Sequence, residues 1–296
     1  MKMNFKLIGK YFVGAMLLSG VMFTACKDDD DDDNGGDGKT DPSTIAATNL
    51  VAYFPFESEA EAVQKANNTI TFSKKVGAGA FVTGRRGKAY QGSATQNYLE
   101  YNLAAGNPLS TMDEFTLSAW IKTPVTTSGA AKIFAVNGGD SFMGNLTLMQ
   151  ESQAQGDSVD LKMYLFDSES PEWKGQDIRA QKTAFLNDKW VHIVALYRKS
   201  TSTIELFANG NFVVKSIRYA GPEPAGGTQP LLGPIKLGSD MSKLHFGAWP
   251  QQIAGTPESW MTYYKGLVDE FRIYNKALSE QEIKDLYDAE VSQITE

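Results

Sequence analysis

The sequence predicts an all-β fold, a sandwich or barrel, closed by one short C-terminal α-helix. Three observations carry that expectation. From Asn49 onward, short runs rich in Val, Ile, Tyr, Phe and Thr alternate with clusters of Gly, Pro, Asn and Ser. No long amphipathic helix separates these runs, which excludes parallel βαβ units. A helix signature occurs only near the end: Ser279 and Glu282 form a capping box, with Leu278 and Ile283 flanking it as a hydrophobic staple. That helix runs through about Asp288 and sets Ile283, Leu286 and Tyr287 on one face.

Taken in order, residues 1–25 read as a signal peptide. Lys2, Lys6 and Lys10 precede the apolar stretch Tyr11 to Phe23, and Thr24-Ala25 supplies small residues before Cys26. The stretch is shorter than the roughly 20 residues a membrane span needs. This pattern resembles a bacterial lipobox, although Phe23 stands where an aliphatic residue is usual. The resemblance implies that the mature chain begins at a lipid-modified Cys26. Asp28 to Asp33 follow as an uninterrupted acidic block. Like charges repel and bury no apolar surface, so residues 26–48 are expected to form a solvated tether. Cys-Lys-Asp-Asp also resembles the surface-export signal of Bacteroidetes lipoproteins, which implies an outer-membrane protein facing the cell exterior. A merely solvating linker is the plainer reading of the same residues.

The expected strands then follow as Leu50–Phe56, Thr69–Phe72, Lys88–Gln91, Tyr98–Leu103, Phe115–Lys122, Lys132–Val136 and Leu146–Gln150. Val159–Phe166, Ile178–Thr183, Trp190–Arg198, Thr203–Ala208, Phe212–Ile217, Ile235–Gly238 and Lys265–Tyr274 complete the set. Asn209-Gly210 is the pair preferred where a tight hairpin needs positive φ. There is no internal repeat and no second linker, so residues 49–296 are expected to form one domain.

Composition bounds the function. The net charge of -7 argues against nucleic acid, whose phosphates need a basic face. Cys26 is the single cysteine, so no internal disulfide forms, and two histidines are too few for a histidine-rich metal site.

Five segments resemble, in order, the strands of concanavalin A-like, laminin-G-type domains. They are Leu50-Val-Ala-Tyr-Phe-Pro-Phe56, Gly87-Lys-Ala-Tyr90 with Tyr98-Leu-Glu-Tyr101, Phe115-Thr-Leu-Ser-Ala-Trp-Ile121, Trp190-Val-His-Ile-Val194 with the Asn209-Gly210 hairpin, and Gly266 to Ser279. The resemblance covers nearly everything from Leu50 to Asp288. It implies two antiparallel sheets stacked as a jelly-roll sandwich, an architecture common among carbohydrate-binding proteins. Fold does not fix function, so the site is argued separately.

Some relatives hydrolyse β-glucans with carboxylates in a Glu-x-Asp-x-Glu pattern, whose members share one face of a strand. Here Asp269-Glu270 are adjacent and are expected to face opposite ways. Glu57, Glu59 and Glu61 have the spacing but follow Pro55 in a loop-like stretch. No Gly-x-Ser-x-Gly, P-loop or HExxH motif occurs. His192 lies within a strand and reads as a hydrogen-bonded core residue. Catalysis therefore has no support in the motifs.

By alternation Asp269 shares a face with Leu267, Phe271 and Ile273, so its charge needs a partner. The resemblance implies one structural calcium near the first and last strands, with Asp269 and Glu57 as ligands. The alternative is that Asp269 caps backbone amides or pairs with a cation. Calcium takes six to eight oxygens, which two carboxylates only begin to supply.

Sugars are held by aromatic platforms and a few polar groups. Trp120 and Trp190 read as core. Trp173, Trp249 and Trp260 fall in loop-like contexts, and the segment Met241 to Tyr263 reads as a long binding loop that includes Trp249, Trp260 and Tyr263. These four residues are the expected ligand contacts, unless the rings fold inward over the rim. The leading expectation is a non-catalytic, glycan-binding surface lipoprotein that captures polysaccharide. A structural or protein-binding module contacting other envelope proteins, and a cryptic glycoside hydrolase, stand beside it.

Overall fold

The computed structural model describes residues 40–59, 69–152 and 158–294, with the backbone alone at 181–184 and 186. The signal peptide, Cys26, the acidic block and Glu61 lie outside the described residues.

The strands are β1 (Leu50–Phe54), β2 (Ile70–Gly77), β3 (Ala80–Thr83), β4 (Lys88–Gln91), β5 (Asn97–Leu103), β6 (Phe115–Lys122), β7 (Ala130–Asn137) and β8 (Leu146–Glu151). After them come β9 (Ser158–Phe166), β10 (Gly175–Leu186), β11 (Trp190–Arg198), β12 (Thr203–Ala208) and β13 (Asn211–Ile217). The chain ends with β14 (Lys243–Phe246), α1 (Pro250–Ala254), β15 (Met261–Thr262), β16 (Leu267–Tyr274) and α2 (Glu280–Ser292).

They form two stacked sheets. The first has the order β13-β12-β11-β6-β16-β4-β3, with β1 also pairing β16. The second has the order β10-β9-β8-β7-β14-β5-β2, with β15 added to β7. All pairings are antiparallel except the short one between β15 and β7. Alternate residues of each strand meet between the sheets, which places Leu99, Tyr101, Leu117, Phe134, Leu148, Leu161, Phe246 and Phe271 in one core. Its centre is aromatic: the rings of Phe54, Phe134 and Phe246 surround Phe271 with centroids 4.7–6.0 Å from it.

The outer face of the first sheet is covered by α2. Ser279 accepts the Glu282 amide at 3.2 Å and Glu282 accepts the Ser279 amide at 2.8 Å, so the capping box forms as expected. Ile283 and Leu286 pack on Val194, Leu196, Phe207 and Tyr274. The chain reaches this face earlier than expected. Pro42 is buried, and Ile45 and Ala46 pack against the α2 cluster, so the segment assigned to the tether is already part of the body here. Asp41 explains the order: its carboxylate accepts the Ser43 amide at 2.8 Å and caps a 3₁₀ turn at Pro42–Thr44.

Three expectations change. Ile235–Gly238 buries Ile235 and Leu237 and exposes Lys236 but forms no ladder, because its amides serve single contacts such as Ile235 N–H to Asp113 O at 3.0 Å. The segment Met241 to Tyr263 is not one loop. Lys243–Phe246 is an inner strand between β7 and β5, followed by α1 and β15. The strict alternation expected of the last strand breaks at a bulge: Asp269 pairs with Trp120 and Arg272 with Ser118, leaving one extra residue, and Glu270 has φ 51°. Val268, Phe271 and Ile273 therefore point into the core, while Asp269 and Glu270 both reach the β3–β4 turn.

Candidate binding site

The outer face of the second sheet carries an aromatic cluster. Leu148 faces the core, so Met149 faces outward, where it meets Ala130, Trp249 and Met261. Trp249 follows β14 and caps α1. It is 1% exposed, and its Nε1–H donates to Ala130 O at 2.8 Å. The Lys132 Nζ sits 4.4 Å from the Trp249 ring centroid. Trp249 was expected to touch ligand; it is instead a buried base. Its local sequence is loop-like, but the return of the chain through β14 drops the ring onto the sheet.

On that base stand two exposed rings. Trp260 is 40% exposed and meets Trp249 edge-on, with centroids 5.1 Å apart. Phe142 is 44% exposed and lies 6.1 Å from Trp260 and 6.2 Å from Trp249. The Phe142 loop is fixed at several points. Asp140 accepts the amides of Phe142 and Met143, each at 2.9 Å, and the Tyr164 hydroxyl at 2.5 Å. Gln251 donates to Ser141 O at 2.9 Å, and Lys132 donates to the carbonyls of Met143 and Phe142 at 2.5 and 3.3 Å. Burial pushes the Lys132 amine down to about 7, with Asp140 pulling the other way.

Tyr263, half-buried just beyond β15, borders a shallow depression of about 160 Å³ with Thr126, Ser128, Gln150, Thr262 and Lys265. Burial raises its phenol. Trp173 is 44% exposed but belongs elsewhere: its amide donates to Ala220 O at 3.1 Å, and its carbonyl accepts from Gln176. The structure thus joins Trp249 and Trp260 and leaves Trp173 outside their cluster. Phe142 was missed. Its setting, Gly138-Gly-Asp-Ser-Phe-Met-Gly144, is the same kind of loop context that singled out the tryptophans, and a search extended to phenylalanine would have found it.

The other expected residues meet at the β3–β4 turn. Asp269 Oδ2 accepts the amides of Arg85 and Arg86 at 2.8 and 3.0 Å, and Oδ1 accepts that of Glu270 at 2.8 Å. Burial and the neighbouring Glu270 push its carboxyl up to about 8, while the three amides pull it down. Glu57 accepts the Lys88 amide at 3.0 Å. A Cβ at Gly84 would come within 2.6 Å of Asp269 Oδ2, and one at Gly87 within 2.2 Å of Glu57 Oε1. Both acids are therefore seated on bare backbone. This donor set does not fit calcium: N–H groups stand where the ion needs oxygens, and among the described residues no group of three or more His, Cys, Asp or Glu is arranged to hold a metal ion.

Beside this turn lies a groove of about 470 Å³ whose walls include Glu57, Glu270, Tyr53, Arg85 and Arg86. The expectation that Asp269 and Glu270 face opposite ways fails at the bulge. Glu270 accepts the Tyr53 hydroxyl at 2.8 Å, Arg86 Nη1 at 2.5 Å and Arg272 Nη2 at 2.7 Å. His192 is fully buried with Nε2 2.8 Å from Ser118 Oγ, and burial lowers it to about 3.

Two stacked antiparallel sheets with an aromatic outer surface define a concanavalin A-like sandwich. Residues 93–284 match the laminin-G-type model described as the concanavalin A-like lectin/glucanases superfamily, and the chain belongs to that superfamily. No curated protein matches the chain. Among solved structures it is similar to the binding domain of Paraclostridial Mosquitocidal Protein 1, with 19% identity over 81% of this chain and 52% of that one, TM-score 0.55. It is also similar to the botulinum neurotoxin type G receptor binding domain, with 10% identity over 81% and 51%, TM-score 0.54. The botulinum neurotoxin DC binding domain in complex with rat synaptotagmin II shares 12% identity over 83% and 52%, TM-score 0.53. At these identities the likeness shows the fold, and this chain spans about half the length of those structures.

Proposed function

We propose that this domain is a non-catalytic glycan-binding module, held at the outer membrane through a lipidated Cys26 and facing the cell exterior. The observation that carries the reading is the Phe142–Trp260 pair: two exposed rings on a buried, hydrogen-bonded indole, with the Phe142 loop fixed by Asp140, Lys132 and Gln251. Exposed rings held in place lose little entropy when a sugar stacks on them. The polar depression at Tyr263 adds hydroxyl, amide and amine partners. The N-terminal segment supports the same orientation. Thr40 O accepts from Gln293 at 3.5 Å, so the chain joins the sandwich on the α2 side, away from the aromatic face. A related fold is recorded in complex with SialylT, which adds to the glycan reading.

A glycan array probed with the full chain tests the proposal. Defined polysaccharide binding is expected, and changing Phe142 and Trp260 together to Ala should remove it. Unchanged binding in the double variant would count against this face. For the anchor, metabolic labelling with a radioactive fatty acid should mark the wild type and leave Cys26→Ala unlabelled.

A second reading, capture of a protein partner, is favoured by β13. This edge strand exposes Phe212 and Ile217, at 48% and 47%. Pull-down that depends on β13 and not on Trp260 would favour it.

A further inference from the structure

The groove on the α2 side contains a guanidinium with no acceptor. Arg86 and Arg272 are matched: Arg86 binds Glu270 and Gln293, and Arg272 binds Glu270 and Glu290. Arg85 is not. Among the described residues its backbone amide donates to Asp269, but no side-chain donor of Arg85 has a hydrogen-bond acceptor, and its Nε is buried without a partner. The side chain is nonetheless held. Its guanidinium carbon lies 4.8 Å from the centroid of Trp120, and the Trp120 Nε1–H is itself fixed on Glu290 Oε2 at 2.7 Å. Cation–aromatic packing positions the fork and leaves its N–H groups unspent.

The surrounding backbone is built rather than slack. Phe56 and Glu270, both with side chains, adopt φ 58° and 51°, and Gly87 adopts 54°. Left-handed backbone at non-glycine residues is strained, and here it brackets one groove.

We infer that this groove is a second ligand site, distinct from the aromatic face, and that it takes the carboxylate of a uronic-acid sugar on Arg85. A planar guanidinium fork matches a planar carboxylate, with two parallel N–H···O bonds. The remaining walls choose among anions. Glu270 is spent on Tyr53, Arg86 and Arg272, and Glu57 on the rim repels a compact polyanion such as phosphate, while a carboxylate oxygen accepts hydrogen bonds from hydroxyls. A ligand with one carboxylate and several hydroxyl groups satisfies both kinds of wall. The volume of about 470 Å³ suits one or two sugar rings.

Calorimetric titration of the full chain with digalacturonate, and separately with the neutral galactose disaccharide, tests this. Digalacturonate should bind at least about tenfold more tightly than the neutral sugar, an advantage that salt weakens. Arg85→Ala should lose at least about tenfold of the digalacturonate affinity, as expected for a bidentate charged contact. Arg85→Lys keeps the charge and the packing on Trp120 but not the fork, and should also bind more weakly than wild type. It keeps the test valid if the alanine variant unfolds. The Phe142 and Trp260 double variant is read against neutral polysaccharide on the glycan array and the Arg85 variants against digalacturonate, so failure of the aromatic face and failure of this site are told apart. Equal affinity for the neutral sugar, wild-type affinity in both Arg85 variants, or no binding of digalacturonate by the wild type would each overturn the inference.

Discussion

Trp120 and Glu290, 170 residues apart in the chain, meet where the indole N–H donates to the carboxylate at 2.7 Å. Both are buried. The same carboxylate binds Arg272, so one acid near the end of α2 ties the helix to β6 and β16 at once. Removing Glu290 leaves Arg272 only Glu270, which it shares with Arg86, and strands the buried Trp120 N–H. Glu290→Ala should cost about 3–5 kcal/mol, and Glu290→Gln less, since the amide oxygen still accepts. Urea unfolding followed by tryptophan fluorescence reads both. A loss below about 1 kcal/mol for the alanine variant would mean that α2 docks through its apolar face alone.

The two tryptophans that meet edge-on should behave in opposite ways. Trp249 is buried, hydrogen-bonded and in contact with Lys132, so Trp249→Ala should destabilise by about 3–5 kcal/mol. Trp260 is half open to water, and Trp260→Ala should cost no more than about 1 kcal/mol while removing a sugar-stacking face. Denaturant midpoints at matched slopes decide between them. Equal losses would mean that the cluster is one packed unit with no ring spare for ligand.

The contrast between these rings also shows what the sequence could tell. Phe115–Lys122, Trp190–Arg198 and Thr203–Ala208 have the same bounds in sequence and structure, because long β-rich runs bounded by turns are local signals. Asn209 and Gly210 take φ 49° and 75°, as their residue types demand. Lys243–Phe246 is only four residues long and owes its place to β7 and β5, more than a hundred residues upstream. Nothing local marks such a strand, so Trp249 read as part of a loop. The bulge at Glu270 is equally silent, and one extra residue there turned both neighbouring acids toward the same turn. Burial of a given ring depends on what returns to cover it, which is a property of topology rather than of composition.

Asp269 should be structural and indifferent to calcium. Asp269→Ala strands three backbone amides, two in the partly buried β3–β4 turn and one in β16, and should cost about 2–4 kcal/mol. Differential scanning fluorimetry of the wild type with millimolar calcium or with EDTA should give midpoints within about 1 °C of each other. A calcium-dependent rise of several degrees, lost in Asp269→Asn, would show that the carboxylate binds metal after all.

Lys132 supplies a test with a definite sign. Its amine is buried beneath Phe142 and Met143, and burial pushes it from 10.5 down to about 7. A base whose folded value is depressed binds fewer protons in the folded chain than in the unfolded one between those two values. Stability should therefore rise with pH across that window, by at most about 1.4 kcal/mol per unit, and the cost of burying the charged amine is fully present below it. Lys132→Met keeps the length and removes the titration. Tyrosines and other titrating groups are common to both proteins and cancel in the difference. The unfolding free energy of the wild type minus that of the variant, measured at about pH 6, 8 and 10, should increase toward the alkaline end. A difference independent of pH would show that the amine keeps its proton in the folded chain, held by the Phe142 and Met143 carbonyls and by the face of Trp249.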